Sequence, residues 1–232
     1  MPVLNLLFTN NEWFCRYSMD KITLKGEKDS YIKLTQRAKL DLSFVFLTVC
    51  AAIICFLGFK MNSPSVIVGA MVVSPLLFSV VSMGAACFRK DWKTFGTGFT
   101  TLIIGIIAAI IAVVSINLLS HIQEQSEILD RIRSAPLDYF FVAFFSGVAG
   151  TFAFFWPDII EAIAGIAISV ALIPPVVMLG IGIVQFDHIL IVESALIVAV
   201  NVLGIFLASL LTSAGLNLLL RYKQKSGGKH WI

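Results

Sequence analysis

The stretch NSPSVIVGAMVVSPLL, residues 62–77, has the composition of a membrane-spanning helix but places Pro75 where the middle of that helix should be. A proline inside a helix removes one backbone hydrogen bond and presses against the carbonyl of the residue four positions earlier, here Met71, at a cost of about 3 kcal/mol. The hydrocarbon core of a bilayer has no water for the freed carbonyl. Pro75 is therefore either a tolerated kink or a place where the protein needs open backbone.

The composition places the chain among multi-pass membrane proteins. Of its 232 residues 58% are hydrophobic and 13% are charged, which is more apolar surface than one soluble core can bury. Six charge-free runs each suit the roughly 20 residues that cross a bilayer, so we predict an all-helical integral membrane protein with six transmembrane helices. The runs are 42–59, 61–88, 94–123, 139–157, 162–186 and 194–220.

The distribution of Lys and Arg predicts the orientation in the membrane. One side holds seven before Leu42, three between the second and third runs and four at the C-terminus, whereas the other side holds Lys60, Arg131 and Arg133. Since cytoplasmic loops carry the excess of these residues, both termini are predicted to be cytoplasmic. The net charge of +3 is then an orientation signal, and no nucleic-acid partner is expected.

The two halves of the sequence follow one pattern. In each half the second helix opens with a proline, is interrupted by proline, passes small residues and ends at a turn containing an aspartate. Because each half has an odd number of spans, the second half enters the membrane from the opposite side, which predicts two inverted three-helix repeats with the second helix of each broken at proline. The corresponding residues are Pro64 and Pro157, Pro75 and the pair Pro174 and Pro175, Gly84 and Gly180, and Asp91 and Asp187.

This pattern divides the chain into five segments. We predict a cytoplasmic basic N-terminal arm (1–41), a first transmembrane repeat (42–119), an external amphipathic connection (120–136), a second transmembrane repeat (137–214) and a cytoplasmic C-terminal tail (215–232). The arm suits either a helix on the inner membrane surface or the docking of a partner, and the connection is predicted to form a short helix on the outer surface.

Matched broken helices in inverted halves predict a binding or conduction site near the bilayer midplane, because half-helix ends offer partial charges and freed backbone groups to a solute. The alternative is that the prolines only kink helices for packing. Glu193 suits a cation or proton site, or a side chain reaching water near the membrane face; Asn201 suits site lining or an interhelical hydrogen bond. The predicted site residues are Gly69, Ser74, Pro75, Ile173, Pro174, Pro175, Glu193 and Asn201.

No catalytic, metal or cofactor site is expected. The three histidines, His121, His188 and His230, fall in predicted loops or the tail, and no carboxylate pair lies in the middle of a span, so neither a nucleophile with its base nor a metal with its ligands is predicted. The four cysteines form no C-x-x-C pair, and no disulfide is expected.

Three motifs give the chain a family resemblance. NSPSVIVGAMVVSPLL (62–77), EILDRIRSAPLDYFFVAFFSGVAGTFAF (127–154) and GIAISVALIPPVVMLGIGI (165–183) resemble the hydrophobic core of the Domain of Unknown Function 389 family, over roughly residues 40 to 215. The resemblance implies a multi-pass protein of a prokaryotic inner membrane and no catalytic residue. Many members carry a soluble domain, for which the segment before Leu42 is too short.

Two functions remain open from the sequence. The first is a transporter or channel for an unidentified small solute or ion, with its site at the broken helices. The second is a membrane-embedded sensor or assembly subunit without transport activity, which would bind its ligand or partner on residues 1–41. The expected partners are the lipid bilayer and further copies of the chain, since the fourth run combines seven phenylalanines with small residues that suit close helix contact.

Overall fold

The computed structural model describes residues 24–119, 136–155 and 172–225 of the chain. These residues are helical apart from turns and helix ends, and they contain no strand, so the predicted all-helical architecture is confirmed for them. The helices are α1 (Leu24–Arg37), α2 (Leu42–Lys60), α3 (Pro64–Val73), α4 (Leu76–Arg89), α5 (Trp92–Leu119), α6 (Pro136–Phe155), α7 (Ile173–Gln185) and α8 (His188–Lys225).

Three helices, α2, α5 and α8, are long and apolar enough to cross a bilayer, and α3 with α4 forms a fourth candidate span that is bent by 50°. The chain is therefore a multi-pass membrane protein. Helices α6 and α7 are apolar but shorter over their described parts. Residues 120–135 of the predicted external connection and residues 156–171 of the predicted fifth span lie outside the described residues, and the inverted six-span arrangement stays a prediction.

The bend between α3 and α4 lies at Ser74 and Pro75, where the sequence predicts it. Ser74 is extended, with φ −73° and ψ 126°, and its hydroxyl oxygen accepts a hydrogen bond from the Leu76 N–H at 3.4 Å. Pro75 is buried and directly precedes the first turn of α4. Because proline lacks an N–H and its ring clashes with the preceding turn, a continuous helix through this position is disfavoured.

Helix α7 begins differently from α4. Pro174 and Pro175 lie within its first turn, where a missing N–H costs little because first-turn N–H groups have no acceptor in the helix. Ile173, Pro174 and Pro175 are all buried. Residues 156–171 lie outside the described residues, so the predicted break of the fifth span stays a prediction.

Helices α4 and α7 end in the same way. Lys90 (φ 58°) and Phe186 (φ 54°) adopt the left-handed conformation, and the N–H of the next residue, Asp91 or Asp187, donates to the carbonyl five positions back at 3.0 Å, as at many helix C-termini. Asp91 and Asp187 are 96 residues apart (187 minus 91). A long helix follows each aspartate, α5 after the first and α8 after the second.

Each of these two helices packs against long helices of both halves. Helix α4 contacts its neighbour α5 and also α8, and α7 contacts its neighbour α8 and also α5. Gly84 of α4 lies against Ser209 of α8, and Gly180 of α7 lies against Val113 of α5. The same separation of 96 residues relates Gly84 to Gly180 and Val113 to Ser209, so the two crossings are equivalent in the sequence pattern.

Helix α1 is docked on α4. Leu34 and Ala38 are buried, the Tyr31 hydroxyl donates a hydrogen bond to Asp91 Oδ2 at 3.1 Å, and the Arg89 guanidinium carbon lies 4.3 Å from the centre of the Tyr31 ring. The part of the predicted N-terminal arm that the structure describes is thus a helix attached to the transmembrane helices of its own chain.

The outward faces of the long helices are apolar. Large hydrophobic side chains are exposed along α2, α5, α6 and α8, among them Phe46, Ile111, Phe145 and Leu203. An apolar surface of this extent is a liability in water. Contact with lipid accounts for it.

Candidate functional site

Small residues bring α5 close to α4. A Cβ built at Gly98 would lie 2.9 Å from Ser82 Oγ and 3.0 Å from the Ser79 carbonyl oxygen, and one built at Gly105 would lie 2.7 Å from Leu76 Cδ2. Gly98 and Gly105 are two helical turns apart and share one face of α5. That face therefore follows α4 from Ser82 down to Leu76, the first residue after the break.

Three buried hydroxyl groups line this contact, and we call Ser79, Ser82 and Thr101 the hydroxyl seam. All three side chains are 0% exposed, and Thr101 lies between Gly98 and Gly105 on the face toward α4. The Ser82 hydroxyl donates to the Ser79 carbonyl at 2.8 Å. The hydroxyls of Ser79 and Thr101 have no hydrogen-bond partner in the part of the chain that the structure describes.

Unpartnered hydroxyls are expensive at this depth. A buried polar group without a partner costs about 1–3 kcal/mol, and native proteins commonly satisfy such groups with a bound water or ion. Ser79 lies one helical turn from Leu76 on α4. The unpartnered hydroxyl of Ser79 is therefore buried close to the broken helix.

A cleft opens beside Ser82, the seam residue of α4 that lies farthest from the break. It has a volume of about 230 Å³ and lies between α1, α4 and α5, far above the roughly 15 Å³ that one water needs. Ser82 belongs to both the cleft wall and the seam, and Gly98 of the cleft wall packs against Ser82, so cleft, seam and break follow one another along α4. The cleft is lined by Thr35, Ala38, Lys39, Ser82, Thr94, Thr97 and Gly98.

The second half carries buried polar groups at related positions. Ser194 and Asn201 of α8 follow Gly98 and Gly105 of α5 by the same 96 residues, and they are 0% and 2% exposed. The hydroxyl of Ser194, like that of Ser213, has no hydrogen-bond partner within the described ranges. In the repeat pattern Asn201 of α8 therefore corresponds to Gly105 of α5. Gly105 is the residue that packs against Leu76.

Five of the predicted site residues lie at the starts of α4 and α7. Ser74 is half-buried and Pro75 is buried at the break, next to the seam. Ile173, Pro174 and Pro175 are buried in the first turn of α7, and α7 contacts both α2 and α3. The two proline segments therefore belong to neighbouring helices.

The other predicted residues are more scattered. Gly69 lies on the exposed side of α3, and no atom lies within 4 Å of a Cβ built there. Glu193 is half-buried and lies eight residues from Asn201 along α8, a rise of about 12 Å. Glu193 follows Thr97, a cleft residue, by 96 positions, so its repeat position corresponds to the cleft rather than to the break.

Two features near the break were missed from the sequence. The Arg37 guanidinium carbon lies 5.6 Å from the centre of the Phe78 ring, three residues after Pro75, whereas Arg37 counted in the sequence only toward orientation. The hydroxyl seam was also missed. The available signals were the spacing of Leu34 and Ala38, which predicts an apolar stripe on α1, and the spacing of Ser79 and Ser82, which places both on one face of α4.

Tyr31 and Asp91 hold α1 to the turn between α4 and α5, outside the spans. Hydrogen bonds from the Thr94 hydroxyl (2.6 Å) and the Thr94 N–H (3.2 Å) hold the pKa of Asp91 below its usual value. Burial raises the pKa of Tyr31. Both shifts favour the forms that make the bond, a carboxylate acceptor and a phenol donor.

Metal-ligating side chains do not cluster in the parts of the chain that can be described. No group of three or more His, Cys, Asp or Glu side chains there is placed to hold a metal ion. Cys50, Cys55 and Cys87 are free.

Comparison with known proteins agrees with the family resemblance of the sequence. The model of the family "Domain of unknown function (DUF389)" matches residues 71–207, a range that includes the break, the hydroxyl seam and α7. No curated protein and no solved structure shows a significant match. Because the matched range is more than half of the 232 residues, the chain belongs to the DUF389 family.

Proposed function

We propose that this protein is a membrane transporter or channel for a small solute or ion, in a prokaryotic inner membrane with both termini in the cytoplasm. The observation that carries the proposal is the continuous order of cleft, hydroxyl seam and broken helix along α4. A solute entering the cleft would meet Ser82, then the unpartnered hydroxyls of Ser79 and Thr101, and then the open backbone at Ser74 and Pro75.

We place the site of this proposal at the starts of α4 and α7, because α7 contacts α3, the helix that ends at the break. Ser74, Pro75, Ile173, Pro174 and Pro175 would supply backbone groups freed by the prolines, since half-helix ends carry partial charge. Asn201 would add a side-chain amide at the corresponding position of the second half, and Glu193 and Gly69 would lie outside this inner site.

An inverted repeat would allow the site to open alternately to the two sides of the membrane. We propose six spans in two inverted three-helix units. The support is the reciprocal packing of α4 on α8 and of α7 on α5, the equal separation of the residues at these crossings, and the identical ends of α4 and α7. Two units related in this way can exchange environments by rocking against one another around a fixed site.

Flux into liposomes tests this function. Purified protein is reconstituted and screened with a broad set of ions and small solutes, and the Thr101→Val variant is compared with the wild type. Valine removes the unpartnered hydroxyl at nearly constant volume, so we expect the protein to stay folded and the flux to fall about fivefold or more. The double variant Pro174→Ala, Pro175→Ala and the variant Ser74→Leu are expected to lose flux as well.

Thr100→Val is the matched control. Thr100 is exposed and its hydroxyl donates to the Gly96 carbonyl of its own helix at 2.9 Å, so its loss is expected to leave flux unchanged. Equal losses of flux in Thr100→Val and Thr101→Val would show that the hydroxyl seam does not line the transport path. Intact wild-type protein that passes none of the ions and solutes tested would overturn transport altogether.

The docking of α1 favours a second candidate, a membrane-embedded sensor or assembly subunit. The Tyr31 hydrogen bond to Asp91 and the contact of Arg37 with Phe78 connect the N-terminal arm to the helix that follows the break. A ligand or partner bound by residues 1–41 would then act on α4. Absence of flux together with a ligand-dependent change in α1 protection from hydrogen exchange would support this candidate.

We also propose that the protein forms a homo-oligomer through α6. Phe141, Val142 and Phe145 are exposed there by 56%, 51% and 66%, and large aromatic surfaces are favoured at interfaces. Cross-linking through cysteines introduced at position 142 in membranes tests this; a monomer under all conditions would contradict it. Catalysis and nucleic-acid binding form no part of the proposed function.

A further inference from the structure

We propose that the cleft between α1, α4 and α5 binds a phosphate ester of a polyol, the chemistry shared by a phosphatidylglycerol headgroup and free glycerol phosphate. The inference concerns the cleft as a binding site and does not depend on transport. It rests on the kind of hydrogen-bonding groups that the cleft presents, on its charge and on its depth.

Every hydroxyl proton of the cleft is already used. The hydroxyls of Ser82 and Thr97 donate to the carbonyls of Ser79 (2.8 Å) and Lys93 (3.0 Å). A hydroxyl has one proton and two lone pairs, so the exposed oxygen of Thr97 offers the cleft acceptor positions alone, whereas Ser82 is fully buried.

The two remaining cleft hydroxyls behave in the same way. Thr35 donates to the Ile32 carbonyl at 2.8 Å, and Thr94 donates to Asp91 Oδ2 at 2.6 Å. Ser82 is fully buried, so the cleft presents three acceptor oxygens to a ligand, those of Thr35, Thr94 and Thr97. The complementary ligand surface is one that donates several hydrogen bonds, as the hydroxyl groups of a polyol do.

The charge of the cleft calls for an anionic group on the same ligand. Lys39 is the charged residue of the lining and is exposed, so its ammonium supplies up to three donors and one positive charge. Lys90 and Lys93, at the turn into α5, are also exposed, and the three ammonium groups together outweigh the carboxylate of Asp91, which accepts from the Thr94 hydroxyl at 2.6 Å. A phosphate would be attracted by this positive charge, whereas a cationic ligand would be repelled.

The depth of the cleft matches the headgroup layer of a membrane. Trp92 is 67% exposed beside Lys90 and Lys93, a combination that concentrates at membrane–water interfaces. Leu42 at the start of α2 and Phe99 of α5 are 82% and 50% exposed and suit contact with lipid tails. The phosphate and polyol of a lipid can therefore enter the cleft while its chains lie along α2 and α5.

Thermal unfolding of the purified full chain in detergent tests the site. The probes are short-chain phosphatidylglycerol, phosphatidylcholine of the same chain length, glycerol 3-phosphate and inorganic phosphate. We expect phosphatidylglycerol to raise the melting temperature of the wild type saturably and phosphatidylcholine, which lacks the polyol and the net charge, to have no saturable effect. Glycerol 3-phosphate binding as tightly as the lipid would identify a soluble ligand, and weaker binding would identify the lipid.

Two matched pairs of variants locate the binding. Lys39→Ala is expected to weaken the apparent affinity for phosphatidylglycerol about tenfold or more, whereas Lys33→Ala, on α1 and outside the cleft lining, leaves it unchanged. Thr97→Val is expected to weaken it severalfold, whereas Thr100→Val leaves it unchanged. If Lys39→Ala fails to fold, Thr97→Val alone decides the question.

Three results would overturn the proposal. Equal binding of phosphatidylcholine and phosphatidylglycerol would remove the role of charge and polyol. Equal losses in Lys39→Ala and Lys33→Ala, or in Thr97→Val and Thr100→Val, would place the binding outside the cleft. Inorganic phosphate binding as tightly as both polyol esters would remove the role of the threonine acceptor oxygens.

Discussion

Gly84 of α4 lies directly against Ser209 of α8, and a Cβ built at Gly84 would be 2.5 Å from Ser209 Cβ. The Ser209 hydroxyl donates to the Val81 carbonyl at 2.7 Å. This hydrogen bond joins the two helices about one turn of α4 before Gly84. At the equivalent crossing, a Cβ built at Gly180 would be 2.9 Å from Val113 Cγ1. Both contacts between the halves thus depend on a residue without a side chain.

Replacing either glycine by alanine is expected to destabilise the protein. Gly84→Ala forces Ser209 and the Phe206 carbonyl oxygen, which would be 2.8 Å from the new atom, away from α4. Overpacking of this kind costs about 1–3 kcal/mol, and Gly180→Ala is expected to cost less, because its nearest atoms, Val113 Cγ1 at 2.9 Å and Cβ at 3.0 Å, belong to a side chain and lie farther away. Unfolding in mixed micelles measures both losses.

Gly96→Ala and Gly215→Ala are the controls for this prediction. No atom lies within 4 Å of a Cβ at either position, and alanine favours helix by up to about 1 kcal/mol over glycine. Both variants are expected to be as stable as the wild type or more stable. Similar losses in all four variants would show that the crossings have no special role.

The aspartates that begin α5 and α8 are expected to stabilise those helices unequally. Asp187 Oδ1 accepts from the N–H groups of Ile189 (3.0 Å) and Leu190 (3.1 Å), and removal of such a cap costs about 1 kcal/mol. Asp91 caps α5 and also accepts from the Thr94 and Tyr31 hydroxyls. Asp91→Ala is therefore expected to cost more than Asp187→Ala in chemical unfolding.

Asparagine at each position is the control, because it retains a cap acceptor without the charge. Asp187→Asn is expected to recover most of the lost stability. Equal free energies of unfolding for Asp91→Ala and Asp187→Ala would contradict the additional role of Asp91.

Docking of α1 is expected to depend on pH at both extremes. The pKa of Asp91 is lowered in the folded protein, so its stabilising contribution is present above the unfolded value of about 3.9 and is lost as pH falls through the lower folded value. The pKa of Tyr31 is raised, so its contribution is complete below about pH 10 and is lost as pH rises through the higher folded value.

Fluorescence of a probe attached at Gln36, an exposed residue of α1, measures the release of this helix against pH. In Asp91→Asn the acid transition is expected to disappear, and in Tyr31→Phe the alkaline transition is expected to disappear. An acid transition that persists in Asp91→Asn would assign it to another group.

Replacing Pro75 is expected to straighten α3 and α4. Alanine restores the N–H that can donate to the Met71 carbonyl and removes the ring that blocks a continuous helix. Spin labels at the exposed positions Val68 and Lys90 are expected to move apart as the 50° bend decreases. Under the proposed transport function, Pro75→Ala also reduces flux.

Gly69→Ala, two turns before the break and free of close contacts, is the control and is expected to leave the label distance unchanged. An unchanged distance in Pro75→Ala would show that packing around Leu76, rather than the proline, maintains the bend.

Local chemistry accounts for the features that the sequence alone determined. The length of the apolar runs identifies a helical membrane protein, because only a helix satisfies its own backbone in lipid. Pro75 interrupts its helix because its nitrogen carries no proton, and Asp91 and Asp187 begin helices because their carboxylates accept from the first N–H groups. These effects act within a few residues, so they can be read directly from the chain.

Tertiary structure alone decided which polar residues meet. Ser79 and Thr101 are ordinary members of apolar helices in the sequence, and they become a buried seam because Gly98 and Gly105 bring two helix faces together. Arg37 reaches Phe78, and Lys39 joins Ser82 and Thr97 in one cleft, because α1 docks on α4. Such contacts depend on the rotation and separation of whole helices, which are set by the summed packing of many side chains and not by any short stretch of sequence.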